Sequence, residues 1–146
     1  FDIILWALSN NKKAKLRNYF KDNNKNEIGK ILKENDEIFK FHLDRFKYSS
    51  HYKKEEEIYH FEKCMEILND WNNRLEDSKD KNYWLIGEEE TIADWCLFPF
   101  VRQFKIACKQ QRISKSFKEP INLWLHYFEN HIIFEEIMQK YRLWQD

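Results

Sequence analysis

The stretch Tyr83–Phe104, YWLIGEEETIADWCLFPFVRQF, decides how the rest of the chain must be arranged. Gly87 marks a turn, Glu88 to Glu90 an acidic loop, and Thr91 a helix N-cap. Thr91 and Asp94 have the Ser/Thr-x-x-acid spacing of a capping box. In it the hydroxyl accepts from the backbone three residues on, and the acid reaches back to the N-cap N–H. Asp stands where Glu or Gln is usual. Glu90 occupies the place where a hydrophobic staple would need an apolar residue to meet Trp95, so the box comes without a staple. From Ile92 the helix has almost no polar face, and such a helix belongs in the middle of a structure. Pro99 removes a backbone donor and bends this helix unless it lies close enough to the start to be tolerated.

Composition supports helices built around that centre. A chain of 146 residues suits one domain with a sizeable core. With only 2 glycines and 2 prolines it lacks the turn residues that a sheet protein of this size needs. Aromatic residues make up 17%, so large rings fill the core. The formal net charge is zero, and lysines alternate with acids, as in KKEEE at 53–57, which reads as a solvated surface. Neither a nucleic-acid nor a membrane-surface partner finds support in that balance. The longest apolar runs, 3–8 and 95–101, are far too short to span a bilayer. Cys64, Cys96 and Cys108 form no CxxC pair. An odd count on helical segments fits reduced, buried thiols and a cytoplasmic setting.

Residues 2–9 read as a short apolar helix, and the Asn/Lys-rich run after it as a linker. A helix over about 26–48 places Ile28, Ile31, Leu32, Ile38, Phe39, His42, Leu43 and Phe46 on one face. Phe41, Arg45 and Tyr48 fall on a second. A third segment starts near Glu55, where Glu55 to Glu57 suit a helix N-terminus. Its stripe is Ile58, Phe61, Met65, Leu68 and Leu75, with Cys64 and Trp71 beside it, and it ends in EDSKDKN (76–82). Pro120 suits the first position of a further helix, with Ile121, Trp124, Leu125 and Phe128 inward. A last helix follows His131, with Phe134, Ile137, Met138 and Tyr141 inward. The expected fold is all-α, a bundle of five or six helices around the central apolar one.

In four ordered pieces the sequence resembles the C-terminal helical domain of glutathione transferases. They are Leu85, Gly87 and Thr91–Asp94; FHLDRFKY (41–48); PFVRQF (99–104); and Trp124-Leu125 followed by FEEIMQKYRLW (134–144). Together they resemble a bacterial subgroup of glutathione-transferase-like proteins. The resemblance divides the chain into 1–10, a remnant last helix of a thioredoxin-like domain; 11–25, a linker; and 26–146, the helical domain. FDIILWAL opens inside a hydrophobic pattern, as a continuation of upstream chain would. The Glu-Ser pair that holds glutathione, the catalytic Ser, Cys or Tyr and the cis-proline loop would then lie upstream. No residue of this sequence is assigned a catalytic role, and no cofactor is expected on it.

What the resemblance implies for this domain is the side of the site facing a hydrophobic electrophile or disulfide-type second substrate, plus part of a homodimer interface, with glutathione bound by the other domain. By position the candidate residues are Phe39, His42, Phe46 and Tyr48 on one helix and Arg102 and Phe104 on the central one. An aromatic cleft with a few polar groups suits such a ligand. A plainer reading stands beside each. Phe39 and Phe46 sit on the core stripe, and His42 suits a hydrogen-bonded core histidine. Arg102 must reach a carboxylate, a carbonyl or solvent, with a structural ion pair leading and an anionic ligand second. Thr91 and Asp94 are read as folding residues. His60 and Cys64 have a spacing that a metal could use, but no further ligand pair accompanies them and no metal site is read. The alternative to an enzyme is a non-catalytic scaffold module of the same shape.

Overall fold

The computed structural model describes residues 24–78, 82–113 and 117–140, together with Trp6 and Asn10. The expected helix over 2–9 and the 11–25 linker lie almost wholly outside these residues, as does Tyr141. Among the described residues there is no strand. Helix α1 (Lys25–Glu34) continues through a π-helical turn (Asn35–Phe39) into α2 (Lys40–Lys47), giving one long rod. Short 3₁₀ turns at Ser49–His51 and Lys54–Glu56 lead to α3 (Glu57–Asp77). The Ser49 hydroxyl donates to Glu57 across that corner. Then come α4 (Ile92–Gln110), α5 (Glu119–Glu129) and the short α6 (Ile132–Ile137). Five rods therefore make the described domain, within the range the sequence implied.

Helix α4 is the centre. Leu97, Phe98, Val101, Phe104, Ala107 and Cys108 are all buried along it. Phe104 is ringed by Phe39, Phe46, Phe61 and Phe117, with ring centroids 5.5–5.8 Å away. Phe98 stacks on Phe128 at 5.2 Å and meets Phe134 edge-on at 5.0 Å. Such pairs add to the area term that already favours burying large rings. Pro99 lies inside α4, on its exposed side, so the donor it lacks falls on the outer wall of the helix.

Four positions depart from the periodic reading. Ile38 is 46% exposed: it sits in the π turn, where the wider winding carries Asn35 and Phe39 inward and Ile38 out. Ile58 is 56% exposed: it lies in the first turn of α3, whose buried residues begin at His60 and Phe61. Ile137 and Met138 are exposed as well, and α6 is held mainly through Phe134.

The capping box forms as read, and Asp94 does more than cap. Its side chain is completely buried. Oδ1 accepts from the Leu85 N–H and the Trp124 indole N–H, both at 3.0 Å. Oδ2 accepts from the Thr91 N–H at 2.8 Å and the Thr91 hydroxyl at 2.9 Å. Burial pushes this carboxyl above its ordinary range, and the donors from Leu85, Thr91 and Trp124 pull it back. Gly87, at φ +78°, turns the loop so that Leu85 can reach Asp94. In Asp94→Ala the indole and two backbone donors lose their acceptor in the core, at roughly 1–3 kcal/mol for each buried group left unpaired. Urea unfolding should show a loss of about 3 kcal/mol or more. A loss below about 1 kcal/mol, the value of a cap alone, would mean that the carboxylate does not join loop and helices.

Candidate functional site

A cleft of about 310 Å³ opens between the α1/π-turn rod and the N-terminal half of α4. Leu32, Pro99 and the Phe100 ring give it apolar walls. Lys40 and Asp36 stand at its edge, 3.3 Å apart, and the Lys40 amine lies 4.7 Å over the Phe100 ring. Asn35, Trp95 and Cys96 complete it. Asn35 is brought there by the π turn, which tucks its side chain to 1% exposure. The Asn35 amide nitrogen donates to Asp36 at 3.1 Å, while its carbonyl oxygen is buried without a partner. The Trp95 indole nitrogen is likewise buried without one.

The six residues named from sequence do not meet in this cleft. Phe39, Phe46 and Phe104 are 0% exposed and interlock at the core, where a ligand has no access to them. His42 faces α3. Tyr48 is 44% exposed at the end of α2, beside His51 and Lys47. Arg102 pairs with Glu129 at 3.6 Å and lies over the Phe134 ring at 5.2 Å, tying α4 to α5 and α6. The cleft is built by other residues of the rod and of α4. One signal could have found it: Asn35 interrupts an apolar stripe at a position, seven after Ile28 and four before Phe39, where helical spacing puts it inside.

This helical arrangement has a counterpart among known families: residues 30–143 match the family described as Glutathione S-transferase, C-terminal domain. The chain belongs to that family. No curated protein and no solved structure compared with it matches.

Elsewhere in this glutathione S-transferase C-terminal domain, several polar groups of the helices pair with one another, while the buried Asn72 side-chain oxygen on α3 has no partner. Trp71 donates to Glu34 at 2.8 Å. His42 and His60, both buried, face each other across α2 and α3 with their Nδ1 atoms 2.8 Å apart. One ring must donate and the other accept, so at least one is neutral. The thiols are held protonated by burial: Cys96 and Cys108 are each pushed up to about 11, and Cys64 is raised further. Cys96 is half-buried at the cleft, not sealed in the core as a purely structural thiol would be. Among the described residues no three His, Cys, Asp or Glu side chains converge as a metal site would need.

Burial holds His42 below its ordinary value of 6.5, and the charges of His60, Lys63 and Arg45 add to this, Glu66 opposing. Neutral His42 is thus favoured in the fold, while the unfolded chain takes up the proton at the ordinary value. Stability present at neutral pH should fall as pH drops below about 6.5 toward the folded-state value. Urea midpoints between pH 7.5 and 5 should fall for the native chain and change with a shallower slope for His42→Leu. Equal slopes would remove His42 from the pH dependence.

Proposed function

We propose that this domain serves a glutathione S-transferase-like enzyme by supplying the second-substrate side of the active site. The supporting observation is the cleft between the α1/π-turn rod and α4, whose walls are apolar and aromatic with a few polar groups at the floor and edge. Such a surface favours a hydrophobic electrophile or disulfide-type compound through burial and ring contact. The edge pair Asp36 and Lys40 neutralises itself, which leaves the walls to set affinity. Glutathione binding and thiol activation then belong to a thioredoxin-like domain of the same protein. The thiols of this chain fit no nucleophilic role, since each is raised by burial. Three unpaired cysteines suit a cytoplasmic setting.

A homodimer would use the outer face of α2 and α3. Phe41, Tyr52 and Tyr59 are each about half exposed there, and the Arg45 guanidinium lies 3.5 Å over Phe41 and 4.9 Å over Tyr52. Exposed rings joined to an arginine are frequent at subunit contacts. Sedimentation velocity should give a dimer for the native chain and a monomer for Tyr59→Glu; a native monomer at high concentration would dismiss this face.

The enzyme reading is tested on the full-length protein. It should be retained on immobilised glutathione and conjugate glutathione to an aryl halide. Phe100→Ala should raise KM for the halide about tenfold, the effect of losing a ring from a binding site, with glutathione retention unchanged. A full-length protein that neither retains glutathione nor turns over the halide would refute the reading.

A further inference from the structure

Two titratable rings meet at the seam of α2 and α3. His42 and His60 are buried, with their Nδ1 atoms 2.8 Å apart, a bond that needs one proton between the two nitrogens. Glu56, on the 3₁₀ turn before α3, faces the far nitrogen of His60 at 3.7 Å. It favours a proton on His60 Nε2, so that His42 Nδ1 donates and His60 Nδ1 accepts. One added proton leaves this bond intact. A second puts an N–H on both Nδ1 atoms, and the bond is lost.

These two rings are the floor of the outer aromatic face. Phe41 stands edge-on to His42 at 5.1 Å and to His60 at 6.1 Å. Tyr59 meets His42 at 5.8 Å and His60 at 5.2 Å. Both Phe41 and Tyr59 are exposed, so the residues that touch the histidines on one side meet solvent on the other. Resting on the reading of this face as a homodimer contact, we propose that proton uptake by the His42/His60 pair dissociates the dimer.

Two effects set the sign. The first is cover. A partner laid over Phe41 and Tyr59 takes water away from the pair, and loss of water penalises its charged form. The monomer then binds the proton better than the dimer, and by linkage acid favours the monomer. Burial already acts this way within one chain, where it holds His42 below 6.5.

The second effect is charge. Arg45 faces the pair from α2, Tyr59, Lys63 and Glu66 from α3, and Glu56 from the 3₁₀ turn. Both carboxylates are already engaged, Glu56 with Lys53 at 3.0 Å and Glu66 with Lys63 at 2.7 Å. An imidazolium therefore adds to the cations of this face without a carboxylate of its own. In a two-fold contact the face meets its own copy, so the added charge appears on both sides of one interface. Like charges brought together there oppose association.

Sedimentation velocity over a concentration series reads the dimer constant at pH 7.5 and 5.5. For the native chain it should weaken about tenfold or more, the linkage of one net proton over one pH unit. In His42→Asn/His60→Asn the two values should agree. A second measurement uses the native chain alone: the ring resonances of His42 and His60 should titrate at higher pH in dilute monomer than in concentrated dimer. The amide spectrum at pH 5.5 checks that the protomers stay folded, and if the double variant does not fold, the ring titrations decide. A native dimer of equal strength at both pH values would overturn the proposal and leave the face standing. So would a pH dependence that persists in the folded double variant, or ring titrations that ignore concentration. A native monomer at every pH would remove the face, and the inference with it.

Discussion

One buried carboxylate organises this domain. Asp94 takes four donors from the loop before α4, from the N-cap of α4 and from Trp124 on α5. A lone carboxylate in an apolar interior is costly, and only a full set of donors makes it tolerable. That requirement acts as a register mark. Leu85, Thr91 and Trp124 must all arrive within hydrogen-bonding distance of the same two oxygens, or the charge is left unpaired. Where α4 begins, how the loop turns at Gly87 and how α5 rests on α4 are therefore one condition and not three.

With α4 fixed, the aromatic core follows. Phe104 accepts rings from α2, α3 and the segment before α5, and Phe98 accepts rings from α5 and α6. This interior handles its polar groups in two ways. Trp71 with Glu34, and His42 with His60, are paired across neighbouring helices and act as clasps. Asn35, Asn72 and Trp95 each have a buried unpaired side-chain atom, and Asn35 and Trp95 are residues of the cleft wall.

Much of the architecture was legible in the chain itself. The Thr91/Asp94 spacing, the apolar run after it and the scarcity of glycine and proline imply helices around a buried centre, because capping and periodicity are local rules. The family could be read from the same ordered pieces, and the match over residues 30–143 agrees. Errors came where local winding changes and where a helix begins. Ile38 looks apolar and in phase, yet a π turn rotates it outward, and Ile58 lies in the first turn of α3, ahead of its buried stripe.

The site was less legible, for a physical reason. Helical spacing places Phe39, Phe46 and Phe104 on an inward face, but it does not say whether the space they face is filled by protein or open to a ligand. Only the packing of α2, α3 and α4 against one another closes that space and leaves the gap a turn or two away, at Asn35, Lys40 and Trp95. Whether Arg102 meets a ligand or Glu129 is likewise a matter of which helix lies opposite. The sequence by itself determined the helices, the cap and the family, all written in local spacing and order. The tertiary structure decided which polar atoms find partners and which do not, because hydrogen bonds between helices depend on distances that no local pattern encodes.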